Sequence, residues 1–211
     1  MAENLQVTAT AAARQLLLDE VGQWRLLLSD SYDEDLNDWS TGSDEDPELG
    51  SISWVIEDGK YRWQGLATNG FVWWVIPDIE SVSDFYLSVS ARQEAQPEVG
   101  EYGLVFRQSG DVDYYLFEIS DLGLYSLYLH TDSGWESLID WTAHPSINPG
   151  ATNRLAVIAT GEHFDLFIND TFVAEYSDDR LPEGKAGLLV GLSNPGDAAN
   201  WDFDDFEFRA P

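Results

Sequence analysis

Turn signals recur about every ten residues from Gly50 to the C-terminus, and this spacing constrains the fold more than any other feature. Pairs such as Asp58-Gly59, Ser133-Gly134 and Asn169-Asp170 separate short apolar or alternating stretches. Short strands at this spacing are typical of a sandwich or barrel. No stretch after Gly50 has the apolar periodicity of a long helix, so the sequence predicts an all-β, two-sheet antiparallel β-sandwich.

Strand by strand, the pattern predicts a first strand within residues 23–28 and thirteen more after Gly50. The later strands are predicted near residues 52–57, 60–65, 71–76, 84–92, 102–108, 114–120, 124–130, 135–141, 153–160, 164–168, 172–176, 186–193 and 202–209. The acidic segment 30–50 is interpreted as a loop with Trp39 as its anchor. Residues 1–22 are interpreted as a stalk-like segment, helical or extended, and residues 23–211 as one domain.

One hairpin, residues 102–108 with 114–120, can be placed in register from the sequence, because side chains alternate between the two faces of a strand. One face is predicted to be buried and carries Leu104, Phe106, Tyr115 and Phe117. The opposite face is predicted to carry Arg107, Tyr114 and Glu118, with Tyr125 alongside. Further core residues are predicted at Leu155, Val157, Leu166 and Leu188.

The chain is strongly acidic, with 39 Asp and Glu against 10 Lys and Arg and a formal net charge of -29. Phosphate backbones bind through Lys and Arg, so nucleic acid is excluded as a partner, and anionic membrane surfaces are disfavoured. No apolar run approaches a membrane span, so no direct membrane insertion is expected. The absence of cysteine excludes disulfides and thiolate sites.

Aromatic and charged residues on the predicted outer face suggest a sugar site. Arg107 and Glu118 could hold hydroxyl groups beside the Tyr114 and Tyr125 rings. Four tryptophans are candidates for stacking on a sugar: Trp73, Trp74, Trp135 and Trp141. The alternative is a cross-strand ion pair with ordinary ring packing. No G-x-S-x-G element or phosphate-binding glycine loop is present, so no catalytic residue is predicted.

Several segments in order resemble concanavalin A-like jelly-roll domains of bacterial envelope proteins, the group that includes keto-disaccharide hydrolase-like and laminin-G-like members. They are DSYDEDLNDW (30–39), GKYRW (59–63), YGLVFR (102–107), YYLFEIS (114–120), GWESLIDW (134–141), LFIND (166–170), KAGLLVG (185–191) and FDDFEF (203–208). The resemblance implies a jelly roll and a structural calcium where the first and last strands meet. Carboxylates of Asp30, Asp204 and Asp205 are the candidate ligands, and the alternative is a solvated acidic edge.

The closing strand carries a further local signal. Phe203 and Phe206 cannot both point inward from a regular strand, so a bulge is predicted between them. The ExDxxE or ExDxE motif of laminarinase-type glycosidases, which belong to the same superfamily, is absent.

The favoured function is an extracytoplasmic carbohydrate-binding or surface-recognition module of a larger anchored protein, with its signal or anchor outside this chain. A glycan is the expected partner. One alternative is a glycoside-active hydrolase of the keto-disaccharide hydrolase type, which requires converging carboxylates in a pocket. The other is a structural or assembly domain without a small ligand. Shared fold does not decide among them.

Overall fold

A computed structural model describes residues 13–14, 16–94 and 100–211, and within them the chain forms fifteen strands in two antiparallel sheets. The strands are β1 Arg25–Asp30, β2 Gly42–Asp46, β3 Gly50–Glu57, β4 Lys60–Ala67, β5 Phe71–Val75, β6 Phe85–Glu94, β7 Glu101–Ser109, β8 Asp113–Ser120, β9 Leu124–Thr131, β10 Gly134–Ala143, β11 Asn153–Thr160, β12 His163–Ile168, β13 Thr171–Ser177, β14 Lys185–Leu192 and β15 Ala198–Ala210. The predicted two-sheet sandwich and its strands are confirmed.

The two sheets differ in size. The larger has nine strands, in the order β13-β12-β11-β6-β15-β4-β3-β2, with β1 paired to β15. The smaller has six strands, in the order β10-β9-β8-β7-β14-β5. Hairpins such as β7–β8 supply part of each sheet, and pairs of strands distant in the chain, such as β6 and β15, join the hairpins together.

The hydrophobic core lies between the sheets and is rich in aromatic rings. Trp63 and Trp201 are fully buried, and Phe106 stacks on Tyr115 at 5.3 Å between ring centroids. The hairpin register is as predicted for its inner face, because Leu104 pairs with Phe117 and Phe106 with Tyr115. The predicted core residues are all buried in one cluster: Leu104, Phe106, Tyr115, Phe117, Leu155, Val157, Leu166 and Leu188.

A bulge interrupts β15, as the spacing of its phenylalanines predicts. The register between β15 and β6 shifts between Asp204 and Glu207, and Asp205 has a positive φ of 49°. Phe203 and Phe206 are consequently both buried. The bulge also divides the strand, since its first half pairs with β4 and its second half with β1.

The acidic segment after β1 is organised around one buried carboxylate. Asp30 accepts hydrogen bonds from the Tyr32 backbone N–H, the Asn37 amide and the Trp39 indole. Trp39 is 2% exposed and packs edge-on against Phe206, so its predicted role as an anchor is confirmed. The prediction of loop throughout residues 30–50 is wrong at β2, where exposed acidic residues pair with β3 at the sheet edge and carry no apolar pattern.

The N-terminal segment is helical where it is described, at residues 13–14 and 16–21. Its Val21, with Leu17, Leu18 and Trp24, packs against the outer face of the nine-stranded sheet. Residues 1–12 lie outside the described residues, so the stalk-like interpretation and the boundary at residue 22 stay predictions. In the described part of the chain, no helix is long and apolar enough to cross a membrane.

Candidate functional site

A groove of about 540 Å³ runs across the outer face of the six-stranded sheet. Residues from all six strands contribute to it, together with the loop before β5. Its lining includes Leu49, Asn69, Gly70, Phe71, Val72, Glu101, Leu116, Glu118, Tyr128, Trp135, Trp141, Leu192 and Ser193. Apolar rings, amide and hydroxyl groups and carboxyls therefore face one space.

Two tryptophans of β10 form one wall of the groove. Trp135 is 50% exposed, and its ring lies 4.4 Å from the His130 ring between centroids. The register between β10 and β9 shifts twice, between Ser137 and Ile139 and again before Thr142. Each shift turns the following side chains over, so the second restores the orientation that the first removes, and both tryptophans face the groove.

The groove continues beyond Trp141. A second depression of about 250 Å³ shares Trp141, Glu101 and Ser193 with it and extends toward Asn194 and Asp197. Trp141 therefore stands between two adjoining recesses.

Two carboxyls lie in the groove with no cationic partner among its described lining residues. Glu118 is 5% exposed and accepts a 2.9 Å hydrogen bond from the Ser126 hydroxyl, while Glu101 accepts one of 3.0 Å from Ser193. Burial, with a smaller contribution from the Glu101 charge, raises the pKa of Glu118 to about 8. Burial also raises the pKa of Glu101. Glu118 is therefore a neutral acid near pH 7.

A glycine keeps room for these carboxyls. Gly191 on β14 lies beside Glu101, and a Cβ atom there would come within 2.8 Å of the Glu101 Oε2 atom. The missing side chain leaves the Glu101 carboxyl space against the sheet.

No protein-family model matches the sequence, and no curated protein sequence matches it. Solved structures do match. The carbohydrate binding module CBM66 from Bacillus subtilis is 20% identical, with a TM-score of 0.60, covering 81% of this chain and 96% of that one. A Bacillus subtilis protein of unknown function with a galectin-like fold is 15% identical, with a TM-score of 0.62, covering 88% and 96%. A GH16 protein of the Bacteroides ovatus mixed linkage glucan PUL is 9% identical, with a TM-score of 0.58, covering 86% and 99%.

The fold is a concanavalin A-like jelly roll. At these identities the likeness establishes the fold alone, and the functions named for those proteins are their own.

The sequence-predicted ligand residues divide into three groups on the jelly roll. Glu118 and Trp141 line the groove. Tyr114 and Trp74 lie on the same outer face beside it, with their rings 4.8 Å apart. Tyr114 is only 2% exposed, because the rings of Trp74, His130 and Trp135 cover it. It supports Trp135 from below, so stacking on a ligand falls to Trp135.

The expected outward position of Arg107 is wrong. The register between β7 and β8 shifts between Phe106 and Ser109, and Arg107 adopts a positive φ of 51°, which turns its side chain into the jelly roll. Its guanidinium is fully buried and donates to the carbonyls of Leu181 and Ser83, each at 2.9 Å, and of Gly161. Arg107 is therefore a structural core residue.

The expected position of Tyr125 beside Glu118 is also wrong. Tyr125 pairs with Ile119, and Ser126 is the residue opposite Glu118. The Tyr125 ring is part of the core between the sheets, and its hydroxyl donates to the Val173 carbonyl of the other sheet. A one-residue difference in register moved it to the opposite face.

The three carboxylates proposed for calcium lie near the junction of β1 and β15. Asp30 is occupied by its three N–H donors, and Asp204 pairs with Lys60. Asp205 lines an acidic recess of about 450 Å³ together with Asp30. Calcium at this junction stays a prediction, and Asp205 would need further oxygen ligands from the recess, whose lining also includes Asp33, Glu34 and Glu207.

Sequence reasoning did not identify Glu101 as a site residue. The predicted strand began at residue 102, whereas β7 begins at Glu101. Extending the alternation by one residue places Glu101 on the face of Gly103, which pairs with Glu118. That alternation was the signal in the sequence that could have identified Glu101 as a site residue.

Proposed function

We propose that this domain is a carbohydrate-binding module that holds a neutral glycan in the groove of the six-stranded sheet. The observation that carries the proposal is the meeting of Trp135 and Trp141 with the carboxyls of Glu101 and Glu118 in one groove. Sugar rings offer C–H faces to indoles and hydroxyls to polar groups, and this lining supplies both.

The charge of the groove supports a neutral ligand. No lysine or arginine occurs among the described lining residues, and the chain carries a net charge of -29. An anionic sugar would bring its charge next to Glu101 without compensation. Uronic and sulfated glycans are therefore expected to bind more weakly than neutral glycans of equal length.

The combined volume of the groove and the recess beside it supports an oligosaccharide. The main groove and the recess beyond Trp141 have volumes of about 540 and 250 Å³. A ligand that passes Trp141 contacts both, whereas a monosaccharide contacts one. Affinity should rise from a monosaccharide to a tri- or tetrasaccharide of the same linkage.

The test is a screen of neutral and acidic oligosaccharides followed by calorimetry on the best ligand. Trp135→Ala should weaken binding by about tenfold or more, because ring contacts of this kind contribute on the order of 1 kcal/mol or more. Trp24→Ala is the matched control, since Trp24 packs on the other sheet. It should leave glycan affinity unchanged.

Failure of every neutral glycan to bind at millimolar concentration would remove the proposal and favour a structural or assembly domain. Equal losses in the Trp135 and Trp24 variants would assign the effect to folding and also contradict it. Thermal melts of both variants distinguish these outcomes.

A second candidate, glycoside hydrolysis, is favoured by one observation. Glu101 and Glu118 are two carboxyls in one groove, and Glu118 is protonated near neutral pH, as a general acid must be. Glu118→Gln should then abolish release of reducing ends while binding persists. Binding without hydrolysis in the wild-type protein leaves the module as the function.

The wider setting is part of the same proposal: an extracytoplasmic domain of a larger anchored protein. A glycan-binding groove is useful to a cell that contacts polysaccharides outside its membrane. Fractionation of cells producing the full-length protein, with surface proteolysis, tests the location. Protection of the domain from external protease in intact cells would contradict it.

A further inference from the structure

A second cluster of chemically active side chains lies on the opposite sheet, away from the groove. Among the described residues, His163, Asp165 and Glu175 bring one potential ligand atom each to within 4.8 Å of one another. Asp165 of β12 pairs directly with Glu175 of β13, and His163 is two residues before Asp165 on the same face. The sheet register itself therefore gathers the three groups.

The imidazole of His163 is oriented by a neighbour. Its Nδ1 atom lies 3.2 Å from the Ser177 hydroxyl, and its Nε2 atom lies 3.4 Å from Asp165 Oδ1 and 3.8 Å from Glu175 Oε2. In protein metal sites the second ring nitrogen is commonly fixed in this way by a hydrogen bond. Two ligands bound tetrahedrally at 2.0–2.2 Å are about 3.4 Å apart. The distances from Nε2 to the two carboxylates are close to this value, and the wider spacing in the cluster, within 4.8 Å, would have to close on binding.

A cationic side chain already occupies the cluster. The Arg14 guanidinium lies 2.6 Å from Asp165 Oδ1, contacts Glu175 and sits over the Phe172 ring at 4.5 Å from its centroid. Asp165 is 4% exposed. Taking a carboxylate this far from water is costly unless a cation accompanies it, so the pocket has the charge of a cation site.

We propose that His163, Asp165 and Glu175 bind a divalent transition cation of the zinc type, in competition with Arg14. One imidazole nitrogen and two carboxylate oxygens match the ligands of zinc sites with an open position for water. Calcium and magnesium prefer oxygen ligands alone and bind here more weakly.

Binding of the cation has a consequence for the N-terminal segment. Arg14 precedes the helical residues 16–21, whose Leu17, Leu18 and Val21 pack on the same sheet face. A cation that takes both carboxylates removes the ion pairs of Arg14, so the segment loses one of its attachments. The cluster thus couples metal binding to the docking of the N-terminal segment.

Zinc titration of the purified chain, monitored by calorimetry, tests the site. The buffer should hold about 150 mM salt and excess Mg²⁺ to screen weak binding to surface carboxylates. Arg14→Ala should bind one zinc per chain at least tenfold more tightly than the wild-type protein, because the competing cation is gone. In that background His163→Ala should lose the gain, and His144→Ala, the matched control, should keep it.

Hydrogen exchange gives a second readout in the wild-type chain. Zinc should increase the exchange of amides in residues 16–21 and leave the β7–β8 hairpin unchanged. The proposal is overturned if Arg14→Ala binds zinc no more tightly than the wild-type protein, or if removing His163 has the same effect as removing His144. Circular dichroism melts of each variant ensure that folded proteins are compared.

Discussion

The outer face of each sheet buries a carboxyl group, and the two carboxyl groups are stabilised in opposite ways. On the six-stranded sheet, Glu118 has a hydroxyl donor and a second carboxyl beside it, and burial raises its pKa to about 8. On the nine-stranded sheet, Asp165 has Arg14 and His163 beside it, and both oppose the rise in its pKa that burial causes.

The difference shows where this acidic chain places its few cationic side chains. The described N-terminal segment brings Arg14 to the nine-stranded face, so that face is covered and its buried acid is paired. No segment among the described residues covers the groove face, and its buried acid can lower its charge by holding a proton. Over the described residues, the face with the neutral acid is open to hydroxyl groups, whereas the carboxylate of the other face is paired with a cationic side chain.

The largest expected effect concerns the pH dependence of stability through Glu118. Its folded pKa of about 8 exceeds its ordinary value of 4.5, so the folded state binds the proton more tightly. Stability from this group is complete below about pH 4.5 and is lost as the pH rises toward 8. Glu118→Gln should remove a loss on the order of 3 kcal/mol between pH 5 and 9, measured by urea unfolding.

Glu48→Gln is the control for that measurement, because the Glu48 side chain is exposed at the rim of the fold. It should keep the wild-type profile. A Glu118→Gln profile that parallels the wild-type one would show that Glu118 is ionised in the folded protein, and the contrast between the two faces would fail.

A smaller effect is expected from Arg14, the cation of the other face. Arg14→Ala should cost about 1 kcal/mol, because it removes the arginine that pairs with the buried Asp165 and leaves only the His163 imidazole close by. Arg25 is the matched control, since its pair with Glu80 is exposed on both sides. Arg25→Ala should cost less than about 0.5 kcal/mol, and equal losses would show that Asp165 needs no cation.

The fold was accessible from the sequence because it depends on local signals. Turn residues such as Asn169-Asp170, each with a positive φ, mark the ends of strands, and alternation identifies the buried face. The same alternation predicted the bulge between Phe203 and Phe206, because two apolar residues at an odd spacing can both be buried only if the strand is interrupted between them. It could not find β2, whose residues are acidic and exposed and are held by backbone pairing with β3.

The site could be predicted only in part, because the face on which a side chain lies depends on the exact alternation along its strand. The bulge after Phe106 sends Arg107 inward, and no residue type announces it, since Arg is an ordinary outward residue. Glu118 and Trp141 were correctly assigned to the groove face. The alternation of side chains is unbroken up to Glu118 in its strand, and in the strand of Trp141 the second register shift restores it. Tyr114 is covered by His130 and Trp135 of the two strands that follow it and by Trp74 of β5, which is distant in the sequence; the contact with Trp74 could not be predicted.

The smallest expected effect concerns calcium near the junction of β1 and β15. This junction is a third acidic region, and the test asks whether a free cation binds there. Asp30 and Asp204 already have partners, so Asp205 is the one of the three predicted ligands that is open to the recess, which Asp33, Glu34 and Glu207 also line. Millimolar calcium should raise the melting temperature by about 1–3 °C, since a weakly bound ligand adds only RT ln(1 + [L]/Kd) to the stability. Asp205→Asn should abolish the rise, and Asp179→Asn, an exposed carboxylate elsewhere on the surface, should preserve it. Equal calcium effects in the two variants would show general screening of a chain with net charge -29 and remove the calcium prediction.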